Sequence, residues 1–187
     1  MHWVERQTKA ALRDVEKIQS FLYPLNNSDP KVNLFQARAR REDAVRMTVL
    51  QMSLAIEDLL DGLFWRFFAG YDPNSRKRVR KTAVISRQLD ELLKSGRVGF
   101  DSKLRLARLI GIINKPQHNR LDTLKALRNK CAHHWMLNRI RTRGISNTPT
   151  KRLLEYEGKD LFRLNVLEDF MRVYSQIYLK LFGKYIS

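Results

Sequence analysis

Apolar residues recur at helical spacing along almost the whole chain, and no strand-like alternation is sustained. Trp3, Leu12, Val15, Ile18 and Leu22 make one face of an N-terminal helix within residues 1–22. The segment YPLNNSDPKVN, 23–33, has the Pro, Asn and Ser content of a connection. A long helix is predicted from about 38 to 69, through VLQMSLAIEDLLDGLFWRFF. Its later half is apolar around most of its circumference, as suits a central bundle helix. Glu57 and Asp58 interrupt that surface, and Gly62 allows a close approach or a mild bend.

GYDPNS, 70–75, ends that helix, and residues 76–95 read as helical after the basic cluster RKRVRK. SGRVGFDS breaks the pattern, with Asp101 or Ser102 able to cap the next helix. That helix, LRLARLIGII, is short and ends near Asn114, Lys115 and Pro116. Another begins around 118 and carries LRNKCAHHW, residues 127–135. GISNTPT, 144–150, is irregular, and a closing helix spans about 160–183. There Leu167, Phe170, Tyr174, Ile177 and Leu181 alternate spacings of three and four. The expected fold is an all-α bundle of about five to six helices, one domain over 1–187 with its core at about 38–183.

At 187 residues and 43% hydrophobic content, the chain can bury one sizeable core. No apolar run is long enough to cross a membrane, and the charged, amphipathic N-terminus lacks a secretion signal's apolar centre. The expectation is a soluble, cytoplasmic protein without membrane insertion. The single cysteine, Cys131, excludes an internal disulfide and most thiolate metal sites. Without a Walker loop, dinucleotide fingerprint or zinc spacing, no cofactor or metal is expected. The formal net charge of +17, from 36 Lys and Arg against 19 Asp and Glu, points instead to polyanions. Nucleic acid leads; an acidic protein, an anionic membrane surface, or charge serving only solubility are the alternatives.

Within LRNKCAHHW, Arg128 and His133 lie about 140° apart around a helix axis, while Asn129 and His133 share a face at i and i+4. Such a set suits RNA. Attack of a 2′-hydroxyl on the adjacent phosphate needs proton transfer, for which histidine is matched near neutrality. It also needs charge stabilisation, which an arginine fork gives to two phosphoryl oxygens. Asparagine can orient the histidine or donate to substrate. DNA lacks the internal nucleophile. The bland alternative makes His133 a capping or half-buried polar residue and Arg128 a solvated charge.

The stretch LRNKCAH resembles the signature of the HEPN superfamily, an arginine and a polar residue followed by a histidine four to six positions beyond the arginine. LAIEDLLDGLFWRFF resembles that family's earlier core helix, and RLARLIGIINKPQHNRLDTLKALRNKCAH its lead into the motif helix. The likeness covers roughly residues 38–183 in architecture, but only the motif is specific. It implies a helical bundle that homodimerises so that two motifs face one cleft. It also implies a metal-independent endoribonuclease of a toxin–antitoxin, CRISPR-linked or anti-phage system, with an antitoxin or defence protein as partner. Arg128 would then activate or stabilise the phosphate, His133 handle a proton, and Asn129 support both. Some members have lost cleavage and serve as RNA-binding or scaffold dimers, which is the competing reading. A DNA-binding regulator is weaker, since no helix-turn-helix stands out.

Some toxin members carry a modifiable tyrosine two residues after the histidine; here Trp135 stands there, without a hydroxyl. Trp135 suits base stacking, a core or a dimer interface, and His134 is a second polar candidate for substrate contact. Glu57 or Asp58 would need a partner if buried. Pairing with Arg128 would match an acid on the family's earlier helix; an exposed seam between helices is the alternative. Cys131 reads as packing rather than as a nucleophile. Arg76, Lys77, Arg78, Arg80 and Lys81, with Arg139, Arg141 and Arg143, supply candidate RNA-backbone contacts, extended by Lys151 and Arg152, or else solvated helix surface. Tyr71 and Tyr156 are available for stacking, without a convincing nucleic-acid motif around either.

Overall fold

The chain between the second and third of the helices with assigned bounds shows how local sequence sets the elements. In a computed structural model of the protein, residues 9, 12–13, 15–17, 34–69, 88, 91–93, 98–133 and 154–186 are described. Helix α1 is Leu34–Ala69, α2 is Phe100–Leu109, α3 is Lys115–His133 and α4 is Leu164–Ile186. Among the described residues, 9, 12–13, 15–17, 88 and 91–93 are also helical, and the fold is all-α as expected.

Helix α2 starts one residue before the expected caps. Its N-cap is Gly99, extended at φ −68 and ψ 164, and Asp101 lies inside the first turn, 3.0 Å from Arg105. The helix stops at Leu109 rather than running on through Ile113. Gly111 takes φ +76, a conformation that L side chains rarely adopt, and its amide donates to the Arg108 carbonyl at 3.2 Å. Ile112 and Ile113 are buried within this turn, which explains why they read as helix. Asn114 then starts α3 three residues earlier than the pattern suggested. Its Oδ1 accepts from the Gln117 amide at 2.9 Å, and its own amide donates to Gln117 Oε1 at 3.0 Å. This reciprocal pair satisfies two donors at the helix start, and Pro116 fits in the first turn, where its missing N–H costs nothing.

A two-stranded hairpin was not foreseen. Strand β1, Glu155–Tyr156, pairs antiparallel with β2, Lys159–Asp160, and displaces the closing helix start to Leu164. Its turn residues Glu157 and Gly158 have φ 49 and φ 72, the doubly left-handed geometry of a tight hairpin. Leu154, Tyr156 and Leu161 are buried, and the Tyr156 ring meets Phe170 edge-on at 5.5 Å. Tyr156 is therefore not presented for base stacking.

Contacts group the chain into two compact units, one of residues 1–13, 54–122 and 176–187, the other of 14–53 and 123–175. In the first, Ile56, Leu60, Phe64, Leu104, Leu121 and Leu181 are buried. Gly62 there permits a close approach: a Cβ at this position would lie 3.1 Å from the Tyr185 ring. Arg66 donates to the Tyr185 carbonyl and Lys184 Nζ to the Ile112 carbonyl at 2.7 Å. In the second, Val45, Met52, Leu124, Leu127, Phe170 and Tyr174 are buried, with Phe170 and Tyr174 rings 4.5 Å apart. Leu167, Phe170, Tyr174, Ile177 and Leu181 of α4 are all buried, as their spacing predicts.

The hairpin turn yields a test. Glu157 holds a left-handed conformation that asparagine tolerates better, so Glu157→Asn is expected to stabilise the protein by about 0.5–1 kcal/mol in urea unfolding. A destabilised variant would contradict this reading of the turn.

Candidate active site

Helix α3 has two unlike sides. Leu121, Leu124, Leu127 and Cys131, spaced three, three and four apart, are at most 2% exposed. The opposite side is polar and open, with Asn129, Lys130 and His133 exposed, while Arg128 is half-buried. Viewed down the axis, Arg128 falls within the arc of the apolar stripe, between Leu124 and Leu121, while Asn129 and His133 lie about 100° and 140° further round. Helical spacing thus turns Asn129 and His133 to solvent and sets Arg128, half-buried, beside the apolar stripe. The helix carries Lys115, Arg120, Lys125, Arg128 and Lys130 against the single acid Asp122, which favours an anionic ligand.

Cys131 is fully buried, and burial pushes its thiol up to about 11, with the nearby Arg46 guanidinium partly offsetting the shift. A thiol held there is not a nucleophile near neutrality, in line with its reading as packing. His134, Trp135, Arg76, Lys77, Arg78, Arg80, Lys81, Arg139, Arg141, Arg143, Lys151, Arg152 and Tyr71 lie outside the described residues. Among the described residues, no group of three or more His, Cys, Asp or Glu could hold a metal ion, and no helix is long and apolar enough to cross a membrane.

Glu57 has an ion-pair partner that the sequence reading did not name. Lys103, 4% exposed on α2, donates from Nζ to Glu57 Oε1 at 3.0 Å and to Asp61 Oδ2 at 2.8 Å. Both pairs lie within one compact unit. Burial alone would lower the Lys103 amine, but its hydrogen bonds to Asp61 and Glu57 outweigh that and hold it above its ordinary value. Burial raises the Asp61 carboxyl despite the Lys103 contact, and its Oδ1 is buried without a hydrogen bond. Asp58 is exposed at its rim; partial burial and the Glu57 charge raise it. These carboxylates and the lysine form a structural charge cluster. The signal for it was present: Phe100, Lys103, Leu104 and Ala107 share the buried face of α2, so a lysine stands at a core position.

A second missed residue lies close to the motif. Arg46 of α1 donates from Nη1 to the Cys131 carbonyl, and its Nη2 is 3.5 Å from Glu42 Oε1. In sequence, only the i,i+4 spacing of Glu42 and Arg46 hinted at an organised arginine.

Removing the Lys103 amine leaves partly buried carboxylates without their cation. Lys103→Met is expected to cost about 2–3 kcal/mol near pH 7, less than a fully buried pair because Glu57 and Asp61 keep some water. With its folded pKa raised, the lysine's contribution is complete below its ordinary 10.5 and disappears as pH rises through the folded value. Urea unfolding from neutral to alkaline pH should show wild type losing more stability than Lys103→Met; parallel curves would remove the assignment.

No protein-family model, curated protein or solved structure matches this chain.

Proposed function

We propose that this protein is a metal-independent endoribonuclease of HEPN type, working as a homodimer on RNA. The observation that carries the reading is the exposure of Asn129 and His133 on one side of a helix whose other side is buried, with the half-buried Arg128 on the same turn as Asn129. Asn129 and His133 stand outside the core, whereas Cys131 lies within it. The net charge of +17 supplies the attraction for a polyanion.

The chemistry follows from the side chains. The substrate's 2′-oxygen attacks the adjacent phosphorus while the bond from phosphorus to the 5′-oxygen breaks. The 2′-proton must leave and the 5′-oxygen must gain one. Arg128 holds the phosphoryl oxygens as charge builds, and Asn129 orients the imidazole or donates to substrate. His133 takes or gives a proton. A turnover needs both transfers, and each chain offers one motif histidine, so a dimer with two motifs at one cleft supplies the pair. The product is a 2′,3′-cyclic phosphate. A role as a toxin or anti-phage effector in the cytoplasm, held in check by an antitoxin or defence-system partner, fits an RNase of this kind.

The purified protein is expected to cut single-stranded RNA in EDTA, leaving a 2′,3′-cyclic phosphate or the derived 3′-phosphate, and to spare 2′-O-methyl RNA. His133→Ala or Arg128→Ala should lower the rate about 10²–10⁴-fold with dimerisation intact. Cleavage that persists in both variants removes this site. RNA bound but left intact across varied sequences moves the protein to the nuclease-inactive, RNA-holding reading.

A further inference from the structure

We infer that Arg46 is a positioning residue for the candidate site, pinning the turn of α3 between Arg128 and His133 to α1. Its functional consequence rests on the endoribonuclease reading; its geometry does not. Cys131 lies three residues after Arg128 and two before His133, so its carbonyl belongs to the turn that carries the motif. Arg46 Nη1 donates to that carbonyl, while Nη2 faces Glu42 Oε1 at 3.5 Å. Side-chain exposures of 22% for Arg46 and 14% for Glu42 place the pair where water competes weakly. All of these residues belong to one compact unit.

The pin adds what apolar packing lacks. Burial of Leu124, Leu127 and Cys131 fixes which side of α3 faces inward, but hydrophobic contact is non-directional and tolerates small slides along the axis. A guanidinium-to-carbonyl hydrogen bond is directional and resists that slide. The planar fork lets one residue address Glu42 and Cys131 through different nitrogens, a geometry that lysine's single nitrogen cannot copy. Arg46 points to the buried side of the helix and acts on the chemistry through the placement of Arg128 and His133. Displacements near 1 Å at a reacting group can cost about 100-fold in rate, so a loosened turn is read in kcat.

The experiment compares wild type, Arg46→Lys and Arg46→Gln by amide hydrogen exchange and by RNA-cleavage kinetics on the full chain. Exchange at residues 129–133 should quicken in the order wild type, Lys, Gln, with α4 amides and helix content unchanged. The kcat should fall about tenfold or more in Arg46→Gln and less in Arg46→Lys, with KM near wild type. Exchange and kcat at wild-type levels in both variants overturn the inference. Should Arg46→Gln fail to fold, Arg46→Lys decides by the same two measurements. Wild type that cuts no RNA counts against the nuclease reading alone, because the exchange measurement still decides whether Arg46 holds the turn.

Discussion

The apolar stripe of α3 is the constraint on which the candidate site depends. Leu124, Leu127 and Cys131 are almost wholly removed from water. Burying a leucine side chain contributes about 1.5–3 kcal/mol, so the two leucines alone outweigh any single exposed polar contact, worth about 0–1 kcal/mol. The rotation of the helix is therefore set by its core side. Asn129 and His133 take the direction that is left, which is outward, while Arg128 stays half-buried beside the stripe. Polar chemistry here is a consequence of apolar packing.

Two charged groups refine that arrangement by different physics. Lys103 stands at a core-facing position of α2 and keeps its charge because Glu57 and Asp61 both accept from it. Desolvation and pairing oppose each other there, and the pairing wins for the lysine while burial wins for Asp61. Arg46 instead uses a backbone carbonyl, anchoring the motif turn without occupying the polar arc. One cluster serves the interior; the other bears on the site.

Much of the fold was legible. The spacing of Leu167, Phe170, Tyr174, Ile177 and Leu181 named five residues that are buried, and the apolar half of α1 read as a core helix. Errors gathered at element ends, where one or two residues decide. Gly111 stops α2 through a left-handed backbone although Ile112 and Ile113 continue its apolar pattern. Asn114 and Gln117 start α3 by exchanging hydrogen bonds, a signal masked by the neighbouring Pro116. The hairpin at 155–160 is too short to show alternation, and it takes Tyr156 into the core.

The sequence by itself determined the all-α class, the inward face of the closing helix and the grouping of Arg128, Asn129 and His133 on one helix. These depend on spacing within a few turns, which local backbone geometry converts directly into direction. Only the tertiary structure decided the partners. Glu57 meets a lysine 46 residues away, and Arg46 meets a carbonyl 85 residues away. Such pairings arise from how helices pack, and the periodicity of one helix carries no information about which residue of another will reach it.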